Sequence, residues 1–232
     1  MKITILFFSL IFSFCSFANN IIVNGTRFIY PSNEKEITVQ MTNSADRPAI
    51  AQAWLDNGDP NESPDTIKTP FQITPPISRI EAKGGQVLRI KLMDKQAIPT
   101  DRESLWWLNI LDIPSLSKKE GKDQNVLQLA IRSRFKFIYR PVGLGNPETA
   151  IKQLSFEAKG NQLTIDNKSP FYVTVTKIAL DDKTPLNTKT VMVAPFSAET
   201  LTVKKALKPG QLVTVNTFND YGADVKSSIK IK

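Results

Sequence analysis

Short apolar runs broken by turn residues govern what this chain can fold into. The runs "IIVNGTRFIYP", "KEITVQMTN", "AIAQAWLD", "FQITPPISRI", "QVLRIKLM", "SLWWLNIL" and "NVLQLAIRSRFKFIY" are rich in β-branched and aromatic residues. Asn-Gly, Pro-Pro, Gly-Gly and Asp/Asn-rich clusters separate them, as turns separate strands. Seven short strands in about 120 residues predict an immunoglobulin-like sandwich. A second series, from "QLSFEA" and "QLTIDN" through "FYVTVTKIAL" to "VKSSIKIK", predicts another sandwich. Between the two, "YRPVGLGNPE" interrupts the pattern with Pro141, Gly143, Gly145 and Pro147. The expected fold is all-β, with one sandwich over residues 19–141 and a second over residues 142–232. No helix longer than a turn or two is expected.

The N-terminus has a different character. "MKITILFFSLIFSFCSFA" carries one cation, Lys2, then an apolar run, then Ser16-Phe17-Ala18. Small residues at these places before a cut are what signal peptidase needs, so residues 1–18 are expected to be a signal peptide. The apolar stretch is too short for a membrane span, and no stop-transfer charges follow it. Export is expected. Cys15 is the only cysteine and leaves with the signal, so the mature chain has no disulfide.

Composition excludes several chemistries. The chain has no histidine, and with no mature cysteine this removes Ser-His-Asp and Cys-His catalysis and histidine-based metal sites. "DNGDPNESPD", from Asp56 to Asp65, is the one oxygen-rich run, and its two prolines and irregular spacing read as a connecting loop rather than a calcium loop. No phosphate-cradling glycine loop is present. Enzymatic activity, metal, nucleotide and other cofactors are therefore not expected. Net charge is +8, and +7 once Lys2 is removed. In an exported protein this favours an acidic protein, a carboxylate or anionic lipid as partner over nucleic acid.

One segment carries two messages. In "LQLAIRSRFKFIYRP", Leu127, Leu129 and Ile131 alternate with polar or small residues, the period of a half-buried strand. Arg132, Arg134, Lys136 and Arg140 then follow within nine residues. Alternation alone assigns the three aliphatic residues to the chain's own core and the cations to a solvated face.

Six stretches in register resemble the periplasmic pilus chaperones, the PapD-like family of the chaperone–usher pathway. "IPTDRESLWWLNILDIP" is similar to the family signature, with Asp101-Arg102-Glu103-Ser104, Trp107, Asn109 and Ile113-Pro114. "QNVLQLAIRSRFKFIYRP" resembles the last strand of the family's first domain, and "NGTRFIYP" and "PAIAQAWLD" resemble its first and third strands. "SPFYVTV" and "FNDYG" resemble second-domain segments. The short connection "PSLSKKEGKDQN", without flanking cysteines, resembles the short-loop branch of the family.

The resemblance implies two sandwiches at an angle with a cleft between them, a periplasmic location, and fimbrial or pilus subunits and an outer-membrane usher as partners. It leaves open whether the free protein self-caps as a homodimer. The segment 125–140 becomes a donor strand that completes a subunit's unfinished sandwich, a mode of strand addition. Leu127, Leu129 and Ile131 become its groove-filling side chains, worth roughly 5–9 kcal/mol before ordering costs. Arg27 and Lys136 become the anchor for a subunit's C-terminal carboxylate. Glu103, Arg140 and Asp220 become an ion-pair network fixing the two domains. Ile50, Pro75, Pro76, Ile77 and Ile113 become the usher-contact patch. Strict alternation puts Lys136 out of phase with 127, 129 and 131, so either a bulge intervenes or the strand uses both faces. The other reading, an exported immunoglobulin-like adhesin or pilus structural subunit, demands a missing strand and a donor extension. The full strand count argues against it.

Overall fold

The computed structural model describes residues 21–96, 98–115, 128–180 and 184–232. The signal peptide expected at 1–18, Leu127 and most of the connection before it lie outside the described residues.

The first sandwich is built from β1 (Ile21–Val23), β2 (Arg27–Pro31), β3 (Glu36–Asn43), β4 (Ala49–Asp56), β5 (Phe71–Thr74), β6 (Ile77–Ile80), β7 (Gly85–Leu92), β8 (Ser104–Pro114) and β9 (Ile131–Arg140). One sheet runs β1-β3-β7-β5 and the other β2-β9-β8-β4-β6. Two runs that read as single strands are each two. "IIVNGTRFIYP" leaves the first sheet after Val23 and enters the second at Arg27, and Gly25 takes a φ of 141° at the crossing. "FQITPPISRI" crosses likewise between Thr74 and Ile77, through the cis peptide bond before Pro75. Pro75 and Pro76 have no N–H to give to a ladder, so the chain changes sheets where pairing would lapse anyway.

Alternation decides what fills the core. Tyr30, Phe71, Phe137 and Tyr139 bury their rings between the two sheets, with the Phe71 and Phe137 centroids 4.9 Å apart. Their sequence neighbours on β9, the even-numbered residues, stand on the outer face. This is how one strand carries both an apolar row and a row of cations.

The second sandwich comprises β10 (Leu154–Lys159), β11 (Gln162–Asn167), β12 (Val173–Ala179), β13 (Val191–Val193), β14 (Ser197–Thr202), β15 (Leu212–Phe218) and β16 (Asp224–Lys230). Its sheets run β10-β11-β14 and β13-β12-β15-β16 around a separate core centred on Phe156, Leu163, Ile165, Val175 and Val215. A 3₁₀ helix over Pro147–Gln153, capped by the Asn146 side chain, is the only helix among the described residues and leads into it. Both sandwiches pin a strand end with a buried asparagine. Asn43 Nδ2 donates to the carbonyls of Arg47, Ile80 and Glu81, and Asn167 Nδ2 to those of Phe171, Val193 and Ala194.

Among the described residues, the strand expected over 125–140 is paired only from Ile131, opposite Asp112. Gln128, Leu129 and Ala130 belong to no strand, and Leu129 is 63% exposed. Continuing the ladder would set Leu129 against Pro114, which lacks an N–H to donate. The Gln128 side chain instead donates to the Pro114 carbonyl at 2.6 Å. Pairing between β8 and β9 runs without a register shift from Tyr139 to Ile131, so no bulge intervenes. Ile131 and Lys136 therefore stand on opposite faces of β9.

Candidate functional site

On the outer face of β9 the cations divide into two groups. Arg132 and Arg134 are consumed within the first sandwich. Asp56, fully buried at 0% exposure, accepts from Arg134 Nε at 3.0 Å and from Asn109 Nδ2 at 2.7 Å, while Arg132 Nε donates to Asn109 Oδ1 at 2.8 Å. The Arg132 guanidinium lies over Trp54 at 4.9 Å and that of Arg134 over Trp107 at 4.4 Å. Burial works to raise the Asp56 carboxyl, but hydrogen bonds from Arg134, Asn109 and the Gly58 N–H outweigh it and hold it below the ordinary carboxylate range.

Arg27 and Lys136 have no such partner. The parallel pairing of β2 and β9 places them directly opposite each other, two like charges on neighbouring strands. Among the described residues neither forms an ion pair with a carboxylate. Lys136 Nζ reaches across the cleft to Thr174 Oγ1 at 2.6 Å, and Arg27 lies over the Phe218 ring at 5.4 Å, with its Nε buried and without a hydrogen-bond partner. Burial, with the Arg27 charge adding to it, pulls the Lys136 ammonium down to about 8. Burial also lowers Arg27, with Asp220 pulling the other way. A half-buried pair of cations with unused donors is complementary to one anion placed between them.

Next to this pair the domains are clasped together. Arg140 Nε donates to Glu103 Oε1 at 2.6 Å, and its two terminal nitrogens donate to Asp220 at 2.7 and 2.8 Å. The second Glu103 oxygen accepts from the Tyr172 N–H at 2.7 Å, and the Glu103 N–H donates to the Pro170 carbonyl at 2.9 Å. Burial pushes the Glu103 carboxyl up, against the pull of Arg140. Arg102 adds a stacking contact over Phe196 at 5.1 Å. One strand, β9, thus carries a residue for each task in the order of its sequence: locked arginines, an unpaired lysine, and the inter-domain clasp.

β9 also has a free edge. Its register with β2 covers only Lys136 to Arg140, so among the described residues Ile131 to Phe135 pair on one side alone, with β8. Backbone N–H and C=O groups on the other side are open to a further strand.

The remaining assigned residues gather at the far edge of the same sheet. Ile50 lies opposite Ile113, and Ile77 lies beside Gln52, one row along. Ile50 is 44% and Ile77 60% exposed, Pro76 is exposed, and Pro75 and Ile113 are half-buried. None of these five belongs to either core. Sequence reasoning passed over Asp56, Thr174, Phe218 and Tyr221. Asp56 stands at the head of an oxygen-rich loop that masked its buried position, and the other three acquire a role only when the second domain meets the first.

Comparison with known proteins agrees with this architecture. A family model for the pili and flagellar-assembly chaperone PapD N-terminal domain matches residues 20–145, and one for the pili assembly chaperone PapD C-terminal domain matches residues 149–229. Chaperone protein MrkB of Klebsiella pneumoniae is 57% identical over 100% of both chains. The CupB2 chaperone of Pseudomonas aeruginosa is 32% identical, superposes with a TM-score of 0.77, and covers 91% of this chain and 100% of its own. The Salmonella enterica SafB chaperone, solved in complex with the SafA pilin, provides a match at 25% identity and a TM-score of 0.79, covering 93% of this chain and 98% of that one. With two sandwiches, both family domains in order and relatives matched end to end, the chain belongs to the PapD-like pilus assembly chaperone family.

Proposed function

We propose that this protein is a periplasmic chaperone that captures fimbrial or pilus subunits by lending them β9 and hands them to an outer-membrane usher. The observation that carries this reading is the Arg27–Lys136 pair, half-buried in the cleft with no carboxylate of its own. A subunit's C-terminal carboxylate supplies the missing anion. The subunit's last strand lies along the free edge from Ile131 to Phe135 and ends at that anchor, in line with β2, which begins at Arg27 beside Lys136. A strand whose terminus lies at Lys136 must run parallel to β9, as β2 does. Main-chain hydrogen bonds give affinity without regard to sequence, and alternate side chains enter the subunit's groove. Ile131, at the start of β9, and the exposed Leu129 before it are available for that groove; the third groove-filling residue of this reading, Leu127, lies outside the described residues. The patch of Ile50, Pro75, Pro76, Ile77 and Ile113 is left uncovered for the usher. Exposed apolar surface and an open edge also favour self-capping of the free protein as a homodimer. Release proceeds by exchange of the lent strand for another subunit's extension, with no nucleotide required.

The test is recovery of a co-expressed pilus subunit from the periplasm. Arg27→Ala combined with Lys136→Ala reduces recovery to background while the melting temperature of the chaperone does not fall. Leu129→Glu, which forces a carboxylate into an apolar groove, impairs capture far more than Gln128→Glu. Full recovery with the double variant would overturn the anchor. Equal effects at 128 and 129 would show that the donated face is wrongly assigned.

A further inference from the structure

Immediately inside Arg27 the cleft deepens into a cavity of about 260 Å³ between the two sandwiches. Its floor is the Glu103–Arg140–Asp220 clasp, whose charges satisfy one another. Ile138, Phe171, Val173, Phe218 and Val225 give it an apolar share of lining, beside the polar Asn146, Glu148, Thr217 and Asn219. Tyr221 stands at the mouth, 90% exposed.

That exposure is built in. The turn bearing Tyr221 is fixed on both sides: Asp220 is held by Arg140, and Asn219 Oδ1 accepts from the N–H groups of Tyr221 and Ala223. Gly222, at φ 80°, approaches Thr26 so closely that a Cβ there would lie 2.7 Å from the Thr26 hydroxyl. A turn this constrained holds its tyrosine in solvent at the lip of the cavity, although the ring is no part of the second core. Phe218, also part-exposed, continues the same lip toward Arg27.

We propose that this cavity is a subsite for the last side chain of the captured subunit, and that it selects an aromatic or large aliphatic residue next to the terminal carboxylate. The inference rests on the anchor reading above. A carboxylate held between Arg27 and Lys136 brings the side chain of the same residue to the cavity mouth. The volume lies below the roughly 300–1,000 Å³ of sites for drug-sized ligands, which suits a single side chain. Glu103 and Asp220 at the floor disfavour an acidic one. Phe218 and Tyr221 can close over an aromatic ring from the side.

The experiment uses the full-length mature protein and four synthetic peptides. Each is ten residues of alternating valine and threonine, ending in phenylalanine or alanine, as the free acid or the amide. Binding is followed by calorimetry. The phenylalanine acid binds about tenfold tighter than the alanine acid. Val225→Arg, which fills the cavity from an exposed strand, removes that preference and leaves the preference for acid over amide intact. Equal binding of the two acids, both tighter than their amides, would overturn the subsite while leaving the anchor standing. Equal binding of acid and amide would overturn the anchor and the subsite with it.

Discussion

Arg132 and Arg134 share a face of β9 with Lys136, four and two residues away, yet the two regions they enter are opposites. Around Asp56 every charge is answered: one buried carboxylate, one buried asparagine and two tryptophan faces absorb two guanidinium groups. Around Thr174 the cations face each other and a hydroxyl. Desolvating charge is costly unless it is paired, so the first region stabilises the chaperone and the second is held ready at some cost to it. A site of the second kind is what an incoming anion requires.

Removing Asp56 breaks the first region and should produce the largest effect on folding. Asp56→Ala leaves two partly covered guanidinium groups without their anion. Because both reach solvent in part, the loss is placed at about 2–3 kcal/mol, below the roughly 3–5 kcal/mol for a fully buried pair. A thermal melt of the variant beside Arg27→Ala measures the contrast. Asp56→Ala lowers the melting temperature by several degrees, and Arg27→Ala does not lower it. Equal losses would erase the distinction between the two regions.

How much of this was legible in the sequence follows from the range of each interaction. Strand existence and the core face are local properties, and alternation along "FKFIYR" or "AIAQAWLD" was enough for them. Sheet membership is not local, which is why the crossings at Gly25 and Pro75 were hidden inside single runs. The cations on β9 were visible as a cluster, but which of them are spent depends on Asp56, 78 residues from Arg134 in the chain. No pattern within "DNGDPNESPD" distinguishes its buried first carboxylate from the more exposed ones that follow. The joining of Arg27 to Lys136 came from resemblance, since a parallel pairing across the length of a domain leaves no trace in spacing. Thr174 and Tyr221 have meaning only at the meeting of two domains.

The second prediction converts one region into the other. Thr174→Asp places a carboxylate where the hydroxyl now touches Lys136, giving the cleft its own anion as Asp56 gives the sheet. The free chaperone becomes more stable by about 1 kcal/mol, the scale of a partly exposed ion pair. Subunit capture falls about tenfold or more, because the terminal carboxylate now competes with an internal one. Thr174→Val is the companion variant, removing the hydroxyl without adding charge, and it retains capture. Undiminished capture by Thr174→Asp would mean that Lys136 is not where the anion binds.

The smallest effect is the dependence of capture on pH, and its sign separates binding from folding. Burial and the neighbouring Arg27 bring Lys136 down to about 8. Arg27 keeps its charge throughout, as guanidinium groups do. A bound carboxylate favours the ammonium form, so the complex retains the Lys136 proton to higher pH than the free chaperone does. Between those two values binding takes up a proton, and affinity falls as pH rises. From about pH 7 to about pH 8.5 the expected fall is about fourfold, with little change below pH 7, where Lys136 is already charged. Folding behaves in reverse. The unfolded chain holds this proton up to the ordinary lysine value of 10.5, so Lys136 makes the free chaperone more stable as pH climbs through 8. Calorimetric titration with a carboxylate-terminated peptide, beside melting curves at the same pH values, reads both slopes. Lys136→Arg keeps the positive charge at every pH tested and flattens the binding profile. A wild-type affinity that stays level to pH 8.5, or one that falls equally in Lys136→Arg, would remove Lys136 as the titrating member of the anchor.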